Sequence, residues 1–99
     1  MKIFIDIDET ICEGGCVGDY WEARPIYDRI ETFNRLYDDG HEIVYWTSRG
    51  VGSGEDWAGA TMLQLRKWGV KYSGLKTDKP IYDIYIGDKA HNVDDFNII

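Results

Sequence analysis

Apolar positions along the chain group into short unbroken runs and longer stripes with helical spacing. Residues 1–10 read Met-Lys-Ile-Phe-Ile-Asp-Ile-Asp-Glu-Thr, and Ile3, Phe4, Ile5 and Ile7 are too uniformly apolar for a strand with one wet face. The run predicts a central strand of a sheet covered on both sides. Pro25 suits the first turn of a helix, and Ile26, Ile30, Phe33 and Tyr37 recur at helical spacing until Gly40. Ile43, Val44, Tyr45 and Trp46 predict a second strand over residues 42–47, from which Thr47-Ser48-Arg49-Gly50 breaks away. Trp57, Thr61, Leu65 and Trp68 share one face of a second helix closed by Gly69, a stripe that reads as core. Residues 70–75 predict a short third strand or extended run, and 83–88 a last apolar strand ending in Gly87-Asp88. Strand, helix and strand in that order imply right-handed parallel crossovers, hence an α/β domain.

The segments between these runs are polar or rich in glycine. Residues 11–24 hold Gly14, Gly15 and Gly18 with Tyr20 and Trp21, a loop long enough in so small a domain to suggest function. Its two aromatic rings either pack against a substrate or anchor the loop on the core. Residues 51–56 carry Ser53 and Asp56 at capping-box spacing. Residues 94–99 leave Phe96, Ile98 and Ile99 for packing or self-association.

Composition narrows the partners. At 99 residues the chain is expected to form a single domain, 1–99, with room for one core. A net charge of -7, without clustered lysine or arginine, argues against nucleic acid as a partner. No stretch reads as a signal peptide or reaches membrane-spanning length, so no membrane partner and a cytoplasmic location are expected. Cys12 and Cys16 match neither a redox nor a zinc spacing, and His41 and His91 are distant in sequence. Reduced bystander thiols are the expectation.

The chemistry concentrates at strand ends. Residues two apart in a strand point the same way, so the carboxylates of Asp6 and Asp8 converge and repel unless a cation lies between them. A hard divalent ion suits oxygen ligands of this kind. The plainer alternative is that two aspartates simply terminate a strand. Ligands of open parallel sheets bind at the carboxyl ends of the strands, which places Thr47 to donate to a phosphoryl oxygen. Ser48 competes for that role, while Arg49 reads as a substrate contact or a brace for its loop. A lysine in Lys76-Thr77-Asp78-Lys79-Pro80 would balance Asp6 and a bound phosphate, and Gly87 allows a turn that lets Asp88 reach the same cation.

Together these stretches resemble the four motifs of the haloacid-dehalogenase-like phosphohydrolases. Asp6-x-Asp8-x-Thr10 resembles the first, the strand ending in Thr47 the second, Lys79-Pro80 the third (a better fit than Lys76), and Gly87-Asp88 the fourth. The resemblance implies a three-layer Rossmann-like fold with a small parallel sheet, a helical turn and hairpin flap over residues 11–24, and no cap domain. It implies a Mg²⁺-dependent phosphomonoester hydrolase that works through an aspartyl-phosphate. Asp6 would be the nucleophile and Asp8 the acid and base. Thr47 and Lys79 would hold phosphate oxygens, and Thr10, Ser48 and Arg49 would line the substrate. Asp6, the backbone of Asp8, and Asp88 would ligate the metal. A looser similarity to capsule-biosynthesis-type phosphatases suggests a small or sugar phosphate as substrate. Without a cap the site is open, suited to a large substrate or to one gripped by a neighbouring subunit of a homo-oligomer. The fourth motif departs from its fuller versions: Gly87, Asn92 and Val93 stand where related chains carry a second acid, Asp94 and Asp95 come slightly late, and Asn92 would serve instead. The competing reading is a catalytically degenerate module that binds a partner. A phospho-accepting receiver is disfavoured by the spacing.

Overall fold

The computed structural model describes residues 1–16 and 18–95. In chain order the elements are β1 (Lys2–Ile5), β2 (Cys12–Glu13), β3 (Arg24–Pro25), α1 (Tyr27–Asp38), β4 (Glu42–Trp46), α2 (Ala58–Lys67) and β5 (Gly74–Lys76). Strands β1, β4 and β5 form a parallel sheet in that order, with Ile3 opposite Ile43, Ile5 opposite Tyr45, and Tyr45 opposite Leu75. Two successive right-handed crossovers in one direction put both helices on the same face. There Ile5, Ile7, Ile43 and Tyr45 from the sheet side meet Ile30, Phe33 and Leu36 of α1 and Leu65 of α2 in one buried cluster.

Both helices end on glycines in the left-handed region, Gly40 at φ +98° and Gly69 at φ +73°. His41 N–H donates to the Leu36 carbonyl, and Val70 N–H to the Leu65 carbonyl, so each helix returns its last carbonyls to the chain that leaves it. Asp56 accepts from Ala58 N–H at the start of α2, and Ser53 accepts from Glu55 N–H. Each side chain therefore caps two residues ahead, instead of forming the reciprocal box that their spacing suggested.

Several expectations are corrected. Pro25 does not open α1: it pairs with Cys12 across the β2–β3 hairpin, and Ile26 N–H then donates to the Ile11 carbonyl. Leu36, not Tyr37, completes the buried stripe of α1, and Tyr37 is exposed. β1 is covered on one face only. On the other face Phe4, 44% exposed, meets Trp46 edge-to-face at 5.5 Å, and among the described residues neither helix covers these rings. The described residues thus make two layers, a sheet and one layer of helices. The predicted strand over 83–88 is absent as well. Residues 81–92 are exposed and form no strand, because no neighbouring strand accepts their backbone groups. The sheet therefore ends at β1, whose second edge is bare among the described residues. Phe96, Ile98 and Ile99 lie outside the described residues. No helix of the described residues is long and apolar enough to cross a membrane.

Tyr45 is fully buried and its hydroxyl has no hydrogen-bond partner among the described residues. Its ring packs edge-to-face on Tyr72, and burial raises the phenol pKa. Removing a buried polar atom that bonds nothing is neutral or favourable. Tyr45→Phe is expected to match or exceed the native melting temperature, by up to about 1 kcal/mol in stability, as measured by thermal unfolding.

Candidate active site

The site grows from the end of β1. Ile7 is wholly buried and pins the chain just past the strand, leaving Asp6 and Asp8 half-buried on either side of it. The chain then reverses. Glu9 takes φ +62°, rare for a residue with a side chain, while Thr10 and Ile11 N–H both donate to the Ile7 carbonyl and Glu9 N–H to that of Cys12. This turn leads into the β2–β3 hairpin, which with the 3₁₀ turn Tyr20–Glu22 occupies the stretch expected as a flap and is called the flap here.

Each carboxylate has its own cation. Asp6 Oδ1 accepts from Ile7 N–H at 2.9 Å, and its Oδ2 lies 3.1 Å from Lys79 Nζ. Lys79 is held there by its backbone N–H, which donates to the Thr47 carbonyl, and its ammonium lies over the rings of Trp46 and Tyr82. Burial pulls the Lys79 pKa down, but contacts with Tyr82 and Asp6 outweigh this and leave it above the ordinary lysine value. Lys79 therefore carries its charge at any physiological pH. Lys76, the rival in sequence, pairs weakly with Asp78 at 4.0 Å and lies over Phe4 and Trp46 instead of beside Asp6.

Asp8 is gripped by Arg49. The guanidinium donates from Nε to Oδ2 at 2.9 Å and from Nη2 to Oδ1 at 2.8 Å, the planar fork that arginine alone among the cations can offer. Its Nη1 donates to Thr61 Oγ1 at 3.2 Å and Gln64 Oε1 at 2.7 Å, and the Tyr20 ring lies 4.6 Å from it. Gln64 in turn donates to the Tyr20 carbonyl, tying the flap to α2. Arg49 is only 3% exposed with all three nitrogens engaged, so its expected role as a substrate contact gives way to that of a brace. Tyr20 is likewise an anchor, its ring also meeting Trp57 edge-to-face, whereas Trp21 is exposed.

Thr47 ends β4 at the same sheet edge, buried, with its hydroxyl oxygen accepting from Arg49 N–H at 3.1 Å and its proton free to donate. Ser48 lines a cavity of about 360 Å³ with Tyr20, Gly50, Gly52, Ser53 and Ile81. Gly50 is required beside it: at φ +85°, an added Cβ would lie 2.0 Å from the Glu55 carbonyl oxygen. Thr10 is half-buried and gives its carbonyl to Arg29 Nη1, a structural tie. A larger recess of about 570 Å³ along α2 shares no residue with this cluster.

Asp88 stands apart in an exposed turn. Among the described residues no three histidine, cysteine, aspartate or glutamate side chains form a group able to hold a metal ion. Asp6 and Asp8 are each matched by a cation already, so one described chain does not by itself fit the expected Mg²⁺ site. Cys12 and Cys16 are both free. Cys12 is buried against Asp8, with its thiol 3.5 Å from Oδ1, and burial first, then the Asp8 charge, push its pKa up to about 12. It remains a protonated, inert thiol. Gln64 escaped sequence reading, and Thr61 was expected only as part of the core stripe of the second helix. A glutamine at the buried helical spacing of Thr61 and Leu65 was the available signal, because such a side chain must find a polar partner.

No family model and no curated protein matches the chain. Among solved structures it is similar to a structural-genomics target from Vibrio cholerae, 27% identical, with a TM-score of 0.79 over 94% of this chain and 84% of that one. Residues 1–80 make up 80 of the 99, so a match over 94% extends the likeness into the exposed segment 81–92.

Removing Arg49 strips Asp8, Thr61 and Gln64 of their partner at once. Arg49→Met is expected to cost roughly 2–3 kcal/mol, somewhat below a wholly buried pair because Asp8 is partly solvated. That lowers the melting temperature by roughly 10–20 °C in a domain of this size. An exposed substrate contact would change it by no more than about 0.5 kcal/mol in stability.

Proposed function

We propose that the chain is a phosphomonoester hydrolase, acting on a small or sugar phosphate through an aspartyl-phosphate on Asp6. The observation that carries this reading is the pair of carboxylates at the carboxyl edge of a parallel sheet. Asp6 is set against a lysine and Asp8 against a buried arginine, with a threonine hydroxyl beside them. Parallel α/β sheets bind ligands at that edge, and phosphoryl transfer depends chiefly on positioning and charge.

In the first step an oxygen of Asp6 bonds to phosphorus as the bond from phosphorus to the ester oxygen breaks, and Asp8 gives that oxygen a proton. In the second, water attacks the phosphorus of the acyl phosphate, Asp8 recovers a proton, and Asp6 leaves as a carboxylate. Splitting the displacement in two makes each part easier. Lys79 and the Thr47 hydroxyl offset charge on the transferring oxygens. Asp8 carries that proton on an oxygen that the Arg49 fork must release, and its side chain, 32% exposed, is open to water there. The resemblance attaches Mg²⁺ to this chemistry. Because the donors of one described chain do not make that site, no step above depends on it. A cytoplasmic location and the absence of nucleic-acid and membrane partners belong to the same proposal.

The separation of Asp88 from the two carboxylates favours a second reading, a degenerate module that binds a partner. Phosphate release from an aryl phosphate, with Mg²⁺ supplied, discriminates the two. The hydrolase reading expects activity in the intact chain, none above background in Asp6→Asn, and a kcat lower by about 10²–10⁴-fold in Asp8→Asn. A folded intact chain that releases no phosphate overturns it.

A further inference from the structure

A parallel sheet normally has both edges and both faces managed, yet this one leaves β1 open. β1 hydrogen-bonds to β4 on one side and to no strand on the other among the described residues. The same chain leaves an apolar strand-like segment unpaired, with Ile81 68%, Tyr82 45%, Ile84 78%, Tyr85 61% and Ile86 91% exposed. A bare edge and an exposed β-prone segment on one molecule are a liability unless each covers the other.

The segment starts at the wrong end of the sheet to cover its own β1. Lys79 is tied to the Thr47 carbonyl, and Ile81 Cδ1 reaches Gly52, in the loop that follows β4. That is the carboxyl edge of the sheet, whereas a strand added parallel to β1 must start at the amino edge, and the two or three residues between Lys79 and the segment are too few for the crossover of about a dozen or more that parallel pairing within one chain needs.

We infer that the segment 82–87 adds as a parallel strand to the bare edge of β1 in a second copy of this chain, and that the exchange is reciprocal. Such exchange of one element between identical chains closes a two-fold dimer. Parallel addition brings the partner's Gly87 and Asp88 out at the carboxyl edge, beside Asp6 and Asp8. Each site is then built from two chains and gains the third carboxylate that one described chain lacks. This last step rests on the hydrolase reading, whereas the strand exchange does not.

Two measurements separate the two claims. In sedimentation the intact chain is expected to be a dimer, and Ile84→Asp with Ile86→Asp a monomer with native far-ultraviolet circular dichroism. A monomeric intact chain, or a doubly substituted chain that stays dimeric, overturns the exchange. The second measurement mixes Asp6→Asn with Asp88→Asn, each inactive alone, and refolds them together. Half of the dimers are then mixed, with one of two sites intact, so phosphate release is expected to return to about a quarter of the native rate. Native activity without any recovery on mixing overturns the shared site. A dimer that dissociates on the double substitution, yet never releases phosphate, upholds the exchange and overturns the hydrolase reading.

Discussion

The grip of Arg49 on Asp8 is the interaction on which the rest of the site depends. A guanidinium 3% exposed cannot be left without partners, since an unpaired buried charge costs several kcal/mol. The chain surrounds it with Asp8 from the end of β1, Thr61 and Gln64 from α2, and the Tyr20 ring from the flap. Three separate stretches of the chain are thereby brought to fixed positions by one cation. Gln64 extends the arrangement by donating to the Tyr20 carbonyl, and Thr47 by accepting from the Arg49 backbone. The flap, the second helix and Asp8 are held by one network, while Asp6 is held separately by Lys79. The proposed roles of Asp6 as nucleophile and Asp8 as proton carrier would call for such independent control.

The fold supplies the platform for this arrangement and leaves it unfinished on one side. Two crossovers in one direction bury one face of a three-stranded sheet and set the strand ends, with Asp6 and Thr47, at a common edge. The same topology leaves the opposite face to Phe4 and Trp46 and the outer edge of β1 to whatever reaches it. A domain this small has little area to spare, so an uncovered edge beside an apolar segment weighs more here than in a larger one.

Much of this was legible because it is local. The stripe of Ile30 and Phe33, the glycines that end both helices, and the apolar runs of β1 and β4 follow from periodicity and backbone preference, and the structure has them in place. Lys79, picked over Lys76 in sequence, is the lysine that reaches Asp6. A brace was one of two readings that the sequence allowed for Arg49, but its partners were not legible, since Thr61 and Gln64 lie 12 and 15 residues on and only the packing of α2 brings them near. Pro25 misled because its fixed φ suits a hairpin edge as well as a helix start. The segment 83–88 misled for a deeper reason: its pattern reports fitness for a strand, but a strand exists only where a neighbour accepts its hydrogen bonds.

The claim that Asp6 forms the covalent intermediate can be tested directly by quenching the protein with acid during turnover of a phosphate ester and reducing it with borohydride. An acyl phosphate is converted by this treatment to a homoserine residue, which mass spectrometry locates in the chain. Homoserine is expected at position 6, and is expected to be absent when the ester is withheld. Turnover that leaves position 6 unmodified, or that marks a different aspartate, would contradict it.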